Sequence, residues 1–119
     1  MSKLHELYAN SAIEHFGMAL RMAIGKREYG GCEDYASLVE LDYVEKEEQF
    51  VIVLKKFLRR FDACARRWER EHPGRSSFKP SEKDLDEVVK LAQEYGVRVV
   101  CAAIMSHALV YSEKGEKGQ

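Results

Sequence analysis

The chain has 119 residues, of which 45% are hydrophobic and 33% charged, a composition typical of one folded domain and not of a disordered or collagen-like protein. The formal net charge is only −1, so overall charge indicates no particular class of partner. The three cysteines are far apart without CxxC spacing, which favours a reduced cytoplasmic protein over a disulfide scaffold or a zinc module. No apolar stretch is long enough to predict a membrane span.

Charge is nevertheless divided by sign along the chain. Residues 1–49 contain five basic and ten acidic side chains, residues 50–80 nine basic and three acidic, and residues 81–119 five basic and seven acidic. We therefore treat residues 1–119 as one domain with an acidic first half and a basic middle. Such separation of charge indicates surfaces that meet charged partners.

Helical spacing dominates the first part of the chain. Apolar residues recur every three to five positions over residues 4–24, which predicts one helix with Ser2 as its N-cap and an end near Gly25. Residues 34–44 predict a shorter second helix with a weaker pattern.

The third predicted helix is the clearest. Apolar residues alternate steps of three and four over residues 51–68, and the sequence His72-Pro73-Gly74 ends the helix. Residues 75–80 form a polar, basic loop.

Two further helices follow this loop. Ser81 is the predicted N-cap of a helix that runs to Tyr95, with Gly96 just after its end. Residues 97–112 are apolar on almost every side and predict a central buried helix, whereas residues 113–119 predict a frayed tail. The residues expected to be buried against the central helix are Val51, Leu54, Leu58, Phe61 and Trp68.

These elements predict an all-α fold, a single-domain bundle of four to five helices. An α/β fold is the alternative, because residues 50–54 and 97–101 are rich in β-branched side chains. It is disfavoured because both runs continue into helical spacing and two isolated strands make a poor sheet.

Seven cations share one face of the third helix when it is drawn at 100° per residue. Its apolar residues fall on the opposite side. Arg75 and Lys79 extend the cations into the following loop, where Phe78 offers an aromatic surface. We call the seven the basic face, and it consists of a first stripe (Lys55, Arg59, Arg66 and Arg70) and a second stripe (Lys56, Arg60 and Arg67).

The composition of the basic face favours binding of a polyanion. Its i,i+4 pairs of like charge, such as Lys55 and Arg59, each destabilise a helix by about 0.2–0.5 kcal/mol unless an anion is near. Five of the seven cations are arginine, which suits bidentate contacts with phosphate. A solvated or internally paired face remains the alternative.

Residues 28–48 form the acidic counterpart, with Lys46 as their one cation. The carboxylates could cover the basic helix of the same molecule, or contact a neighbouring copy head to tail. Their spacing does not fit an EF-hand loop, so we predict no metal site. The eight carboxylates are Glu28, Glu33, Asp34, Glu40, Asp42, Glu45, Glu47 and Glu48.

No catalytic pattern is present, so we predict a non-enzymatic protein without a cofactor. His15 lacks an accompanying HExxH spacing, and His107 and Cys101 lie on the most apolar helix, where core positions are expected. His72 is expected at a helix end, where a cation suits the dipole. The serines stand in no GxSxG context.

The second half of the chain resembles small subunits of archaeal CRISPR effector complexes of Cascade-like type I or type III. The resemblance is carried by an Arg-rich helix, a basic loop, a Ser-capped acidic helix and an apolar helix. These lie in the run FLRRFDACARRWEREHPGRSSFKPSEKDLDEVVKLAQEYGVRVVCAAIMSHALVY.

The resemblance implies a small helical subunit without a catalytic centre, present in several copies in an RNA-guided complex. Such a subunit would bind the backbone of single-stranded nucleic acid or a heteroduplex, and contact other subunits or further copies of itself. The alternative is a protein–protein adaptor whose basic face docks an acidic partner. The residues that would contact nucleic acid are Lys55, Lys56, Arg59, Arg60, Arg66, Arg67, Arg70, Arg75 and Lys79.

Overall fold

A computed structural model describes residues 3–25 and 34–117, with side chains described for residues 5–24 and 34–109. Over these residues the chain is all-helical, which confirms the predicted fold class. Residues 50–54 and 97–101 lie in helices, so the α/β alternative is wrong. The described residues form α1 (Lys3–Tyr8), α2 (Ser11–Gly25), α3 (Tyr35–Tyr43), α4 (Glu47–Glu71), α5 (Glu82–Tyr95) and α6 (Val97–Lys117).

The first predicted helix is divided into α1 and α2 at Asn10. The side-chain oxygen of Asn10 accepts the backbone N–H groups of Ala12 at 2.9 Å and Ile13 at 3.3 Å. An asparagine that caps the next helix in this way competes with continuation of the preceding one. Ser2, the predicted N-cap, lies outside the described residues.

The helix ends around the basic loop follow the prediction. His72 is the C-cap of α4, and Gly74 has φ of +85°, which releases the chain into the loop. Ser81 and Asp84 form a capping box at the start of α5, each side chain accepting the backbone N–H of the other at 3.1 and 2.9 Å.

The centre of the core is the contact between α2 and α6, which pack against each other more extensively than any other pair of helices. Phe16 of α2 and Ile104 of α6 are both buried. Gly17 permits the contact, because a Cβ atom at this position would collide with the Cβ of His107. The central position of α6 was predicted, but its main neighbour is α2.

Helix α4 packs chiefly against α3 and α5. Of the five residues expected to be buried against α6, Leu54 and Phe61 are buried, whereas Val51, Leu58 and Trp68 are only half-buried. The expectation that all five pack on the last helix is therefore wrong. Leu58 instead borders a surface groove described below.

His107 is a core histidine, as predicted. Its side chain is 3% exposed, its Nε2 donates a hydrogen bond to the Tyr8 carbonyl at 2.6 Å, and its ring stacks on Tyr8 at 3.8 Å. The helix that carries it continues to Lys117, five residues beyond the predicted end at residue 112, whereas fraying of the tail stays a prediction.

The cysteines differ in state. Cys101 is a free thiol, and burial raises its pKa to about 11, which makes it an inert core residue. Cys64 is disulfide-bonded, so the expectation of fully reduced cysteines is wrong for this residue. Cys32 lies outside the described residues. No helix in the described parts of the chain is long and apolar enough to cross a membrane.

Candidate binding groove

The two stripes of the basic face have different neighbours in the structure. Three members of the first stripe, Lys55, Arg59 and Arg66, line a surface groove of about 530 Å³ between α4 and the segment that leads into α5, which we call the α4–α5 groove. The second stripe points toward α3 and its own helix. The α4–α5 groove is lined by Lys55, Leu58, Arg59, Asp62, Arg66, Lys79, Pro80, Ser81, Glu82 and Leu85.

All three members of the second stripe are paired with carboxylates. Lys56 Nζ lies 3.0 Å from Glu40 Oε2, and Arg60 Nη1 lies 2.8 Å from Asp34 Oδ1. Arg67 Nε lies 3.7 Å from Glu71 Oε1, one helical turn away on α4. For this stripe the internally paired alternative is the one observed.

Asp34 shows why Arg60 is held in place. The Asp34 side chain is only 6% exposed, and it accepts hydrogen bonds from the Ser37 backbone N–H at 3.0 Å and the Ser37 hydroxyl at 2.8 Å. It thus caps α3 and binds α4 at once. A buried carboxylate needs such partners, so Arg60 has a structural role.

The acidic first half therefore covers part of the basic helix through Asp34 and Glu40. Glu28 and Glu33 lie outside the described residues. The other four carboxylates are exposed and, within the described chain, form no ion pair. These are Asp42, Glu45, Glu47 and Glu48.

Asp62 lines the α4–α5 groove and contacts two of its cations. Its Oδ1 accepts a hydrogen bond from Lys79 Nζ at 2.6 Å, and its Oδ2 lies 3.0 Å from Arg66 Nε. The hydrogen bond from Lys79 holds the pKa of the Asp62 carboxyl below its usual value. Asp62 and Arg66 stand at i and i+4, so their ion pair could have been predicted from the sequence. It was missed because only pairs of like charge were considered.

A second carboxylate anchors the same loop. Glu69 Oε2 accepts hydrogen bonds from the Ser77 backbone N–H at 3.1 Å and from the Ser77 hydroxyl at 2.8 Å. The backbone hydrogen bond from Ser77 holds the pKa of the Glu69 carboxyl below its ordinary value. Together with the Lys79 contact, it fixes residues 75–80 beside α4.

Three cations of the first stripe remain unpaired in the described part of the chain: Lys55, Arg59 and Arg70, all exposed. Lys55 and Arg59 line the α4–α5 groove. With Arg66 and Lys79 they give the groove four cations, against the carboxylates of Asp62 and Glu82. The groove is therefore electropositive, with an apolar floor.

The remaining loop residues pack around the end of α4. The Arg75 guanidinium lies 5.2 Å from the centre of the Trp68 ring, which stacks on His72 at 4.3 Å. Phe78 is half-buried and meets the His15 ring edge-to-face at 5.8 Å, so only part of its ring offers an aromatic surface to a partner. Arg75 thus contacts an aromatic ring and does not line the groove.

His15 also has a role that its sequence context did not indicate. Its Nδ1 lies 3.1 Å from both carboxylate oxygens of Asp84, the capping-box residue of α5. The contact ties α2 to the start of α5 and so fixes one wall of the α4–α5 groove. Only the Ser81-x-x-Asp84 capping pattern was visible in the sequence. No cluster of metal-binding side chains occurs among the described residues.

Comparison with known proteins yields one informative match. The chain is 45% identical over 115 residues to an uncharacterized protein of Archaeoglobus fulgidus, and the alignment covers 97% of this chain and 89% of the relative. No family model and no solved structure matches the chain.

Proposed function

We propose that this chain, which belongs to one family with the Archaeoglobus fulgidus protein, is a non-catalytic helical subunit that binds the phosphate backbone of nucleic acid in the α4–α5 groove. The observation that carries the proposal is the pair of exposed cations Lys55 and Arg59, which have no ion pair within the described chain and line the α4–α5 groove together with Arg66 of the same stripe and Lys79 of the loop. Cations without intramolecular partners suit an anionic partner, because phosphate contacts release counterions from the nucleic acid.

The first stripe is long enough to contact several phosphates of one nucleic-acid strand. Lys55 and Arg70 are fifteen residues apart on one helix, a rise of about 22 Å, so the stripe can contact several consecutive phosphates. Contacts of this kind position a strand without reading its sequence. We therefore expect binding to single-stranded RNA, single-stranded DNA and a heteroduplex with little base preference.

The second stripe is not part of the proposed contact surface. Lys56, Arg60 and Arg67 do not line the α4–α5 groove, and Arg60 holds the buried Asp34. The proposed contact residues are Lys55, Arg59, Arg66, Arg70 and Lys79.

Two double variants with the same change in net charge test the proposal. Lys55→Glu/Arg59→Glu reverses the unpaired cations of the groove, whereas Lys46→Glu/Lys90→Glu reverses two exposed lysines outside it. Fluorescence anisotropy with labelled oligonucleotides over a salt series gives the readout. The groove variant should bind far more weakly, and the slope of log Kobs against log salt should fall by about 2. Equal weakening by both variants would mean that only overall charge matters.

We further propose that the subunit works inside a CRISPR RNA-guided effector complex, with contacts to other subunits and head to tail to further copies. This part is supported by the resemblance of residues 57–111 to archaeal small subunits. A tagged chain recovered from the source cells should bring down other subunits and short RNAs that carry a common repeat sequence. Recovery of the chain without RNA would contradict it.

Docking of an acidic protein partner is the second candidate function. Its support is the apolar floor of the α4–α5 groove, formed by Leu58, Pro80 and Leu85, which a phosphate backbone does not need. A helical peptide of leucine and glutamate in amphipathic order tests this alternative. Tight peptide binding that Lys55→Glu/Arg59→Glu abolishes, with no oligonucleotide binding at low salt, would favour the adaptor.

A further inference from the structure

The outer face of α3 is apolar, unlike the outer face of an ordinary surface helix. Tyr35, Val39 and Tyr43 follow one another at i, i+4 and i+8, and their exposed fractions are 48%, 54% and 77%. Residues at this spacing lie on one side of a helix. The buried residues of α3 are Ser37 and Leu41, on its other side.

The exposed apolar surface of α3 continues onto α4. Ile52 is 57% exposed, and it lines with Tyr43 a groove of about 350 Å³ between the two helices. Val44 and Val53 line the same groove and are buried. Scattered apolar side chains are ordinary on a protein surface, but a connected set around a groove indicates a binding site.

The charges beside this apolar surface show which partner would fit it. Asp42 lies in the last turn of α3, next to Tyr43 in the sequence. Three more exposed carboxylates follow at the junction with α4. None of the four forms an ion pair within the described chain, and Lys46 is the one cation among them. The junction carboxylates are Glu45, Glu47 and Glu48.

A second copy related by a two-fold axis is a poor occupant of the surface. A two-fold contact brings the same patch of both copies together, and the unpaired carboxylates of one would face those of the other. Facing like charges disfavour such a contact. The complementary surface is apolar in its centre and basic at its edge.

We propose that α3 and the start of α4 form a docking surface for a basic amphipathic helix of a partner protein. Apolar side chains of that helix would cover Val39, Tyr43 and Ile52, and its lysines or arginines would pair with the four carboxylates. Helices commonly bind in grooves through such i, i+4 anchors. The surface shares no residue with the α4–α5 groove, so this inference does not depend on nucleic-acid binding.

Two synthetic helical peptides test the surface, one of leucine and lysine and one of leucine and glutamate in the same amphipathic order. The lysine peptide should bind the parent chain, measured by fluorescence anisotropy. Val39→Ser/Ile52→Ser should weaken that binding by about tenfold or more, because apolar anchors dominate such contacts. The matched control Val99→Ser/Leu109→Ser changes two exposed apolar residues of α6 and should bind like the parent.

A triple variant tests the charged edge: Glu45→Gln/Glu47→Gln/Glu48→Gln should weaken binding of the lysine peptide and reduce its salt dependence. The proposal would be overturned if Val39→Ser/Ile52→Ser had no effect on binding of the lysine peptide, or if it weakened binding of the glutamate peptide to the same extent. Sedimentation velocity gives a further outcome against it: a dimer of the parent chain that the same double variant converts to a monomer would assign the surface to a second copy. All substituted positions are exposed, and circular dichroism should show unchanged helicity.

Discussion

Asp62 and Lys79 are joined by a hydrogen bond of 2.6 Å across the α4–α5 groove. Because Arg66 binds the other oxygen of the same carboxylate at 3.0 Å, Asp62 occupies the place where two of the four groove cations converge. A phosphate that enters the groove has to compete with this carboxylate for the same donors. Asp62 is thus an intramolecular competitor of the proposed ligand.

Replacing Asp62 with asparagine should therefore strengthen binding of oligonucleotides. Exposed ion pairs contribute about 0.2–1 kcal/mol each, so freeing both Arg66 and Lys79 should raise affinity about two- to thirtyfold. Fluorescence anisotropy at fixed salt measures the change. Glu71→Gln is the matched control, because it removes one negative charge from an ion pair with Arg67 that does not line the groove. Equal gains from both variants would show that Asp62 does not compete locally.

The anchoring of residues 75–80 should be lost in acid. The pKa values of Asp62 and Glu69 are lowered, chiefly by the Lys79 side chain and the Ser77 backbone N–H respectively. A carboxyl whose pKa is lower in the folded state contributes stability above its unfolded pKa, and this contribution is lost as the pH falls through the folded pKa. The Ser77 amide resonance should therefore move as Glu69 titrates, at a pH below the ordinary range of a glutamate. Titration of Glu69 at its ordinary pKa would contradict this expectation.

The loop contacts also explain how far the sequence could predict the fold. Capping signals are local, so Ser81 and Gly96 placed the ends of α5 correctly. The break between α1 and α2 at Asn10 was missed because the apolar spacing continues through this residue. The break depends on a single side chain, that of Asn10, which caps the start of α2. The same spacing predicted burial of Leu58 and Trp68. Leu58 instead lines the α4–α5 groove, and Trp68 is covered only in part, with Arg75 of the loop over its ring.

The candidate site was predictable only in outline. A helical wheel places all seven cations of α4 on one face, and it cannot show that Asp34 and Glu40 approach one edge of that face from α3. Those contacts join residues 16 to 26 positions apart and depend on how α3 packs. Periodicity located the basic helix, whereas tertiary packing decided which of its cations remain unpaired.

The neighbours Arg59 and Arg60 should differ sharply in their effect on stability. Arg60→Ala removes a partner of the buried Asp34 and should lower the free energy of unfolding by about 1–3 kcal/mol. Arg59 is exposed and forms no ion pair within the described chain, so Arg59→Ala should change stability by less than about 0.5 kcal/mol. Urea denaturation followed by circular dichroism measures both. Equal stability of the two variants would remove the structural role assigned to Arg60.

Gly17→Ala should destabilise the fold, although alanine is the better helix former by about 1 kcal/mol. The added Cβ would collide with the Cβ of His107 and lie 3.1 Å from the Ile104 carbonyl oxygen. His107 cannot easily move away, because it bonds to the Tyr8 carbonyl and stacks on the Tyr8 ring.

The α2–α6 contact must therefore open, and overpacking of this kind costs about 1–3 kcal/mol. Ser106→Ala, at an exposed position of α6, is the control and should leave stability unchanged or slightly raised. Urea denaturation of both variants gives the comparison. A Gly17→Ala variant as stable as the parent would mean that α2 and α6 do not approach as closely in solution as this contact requires.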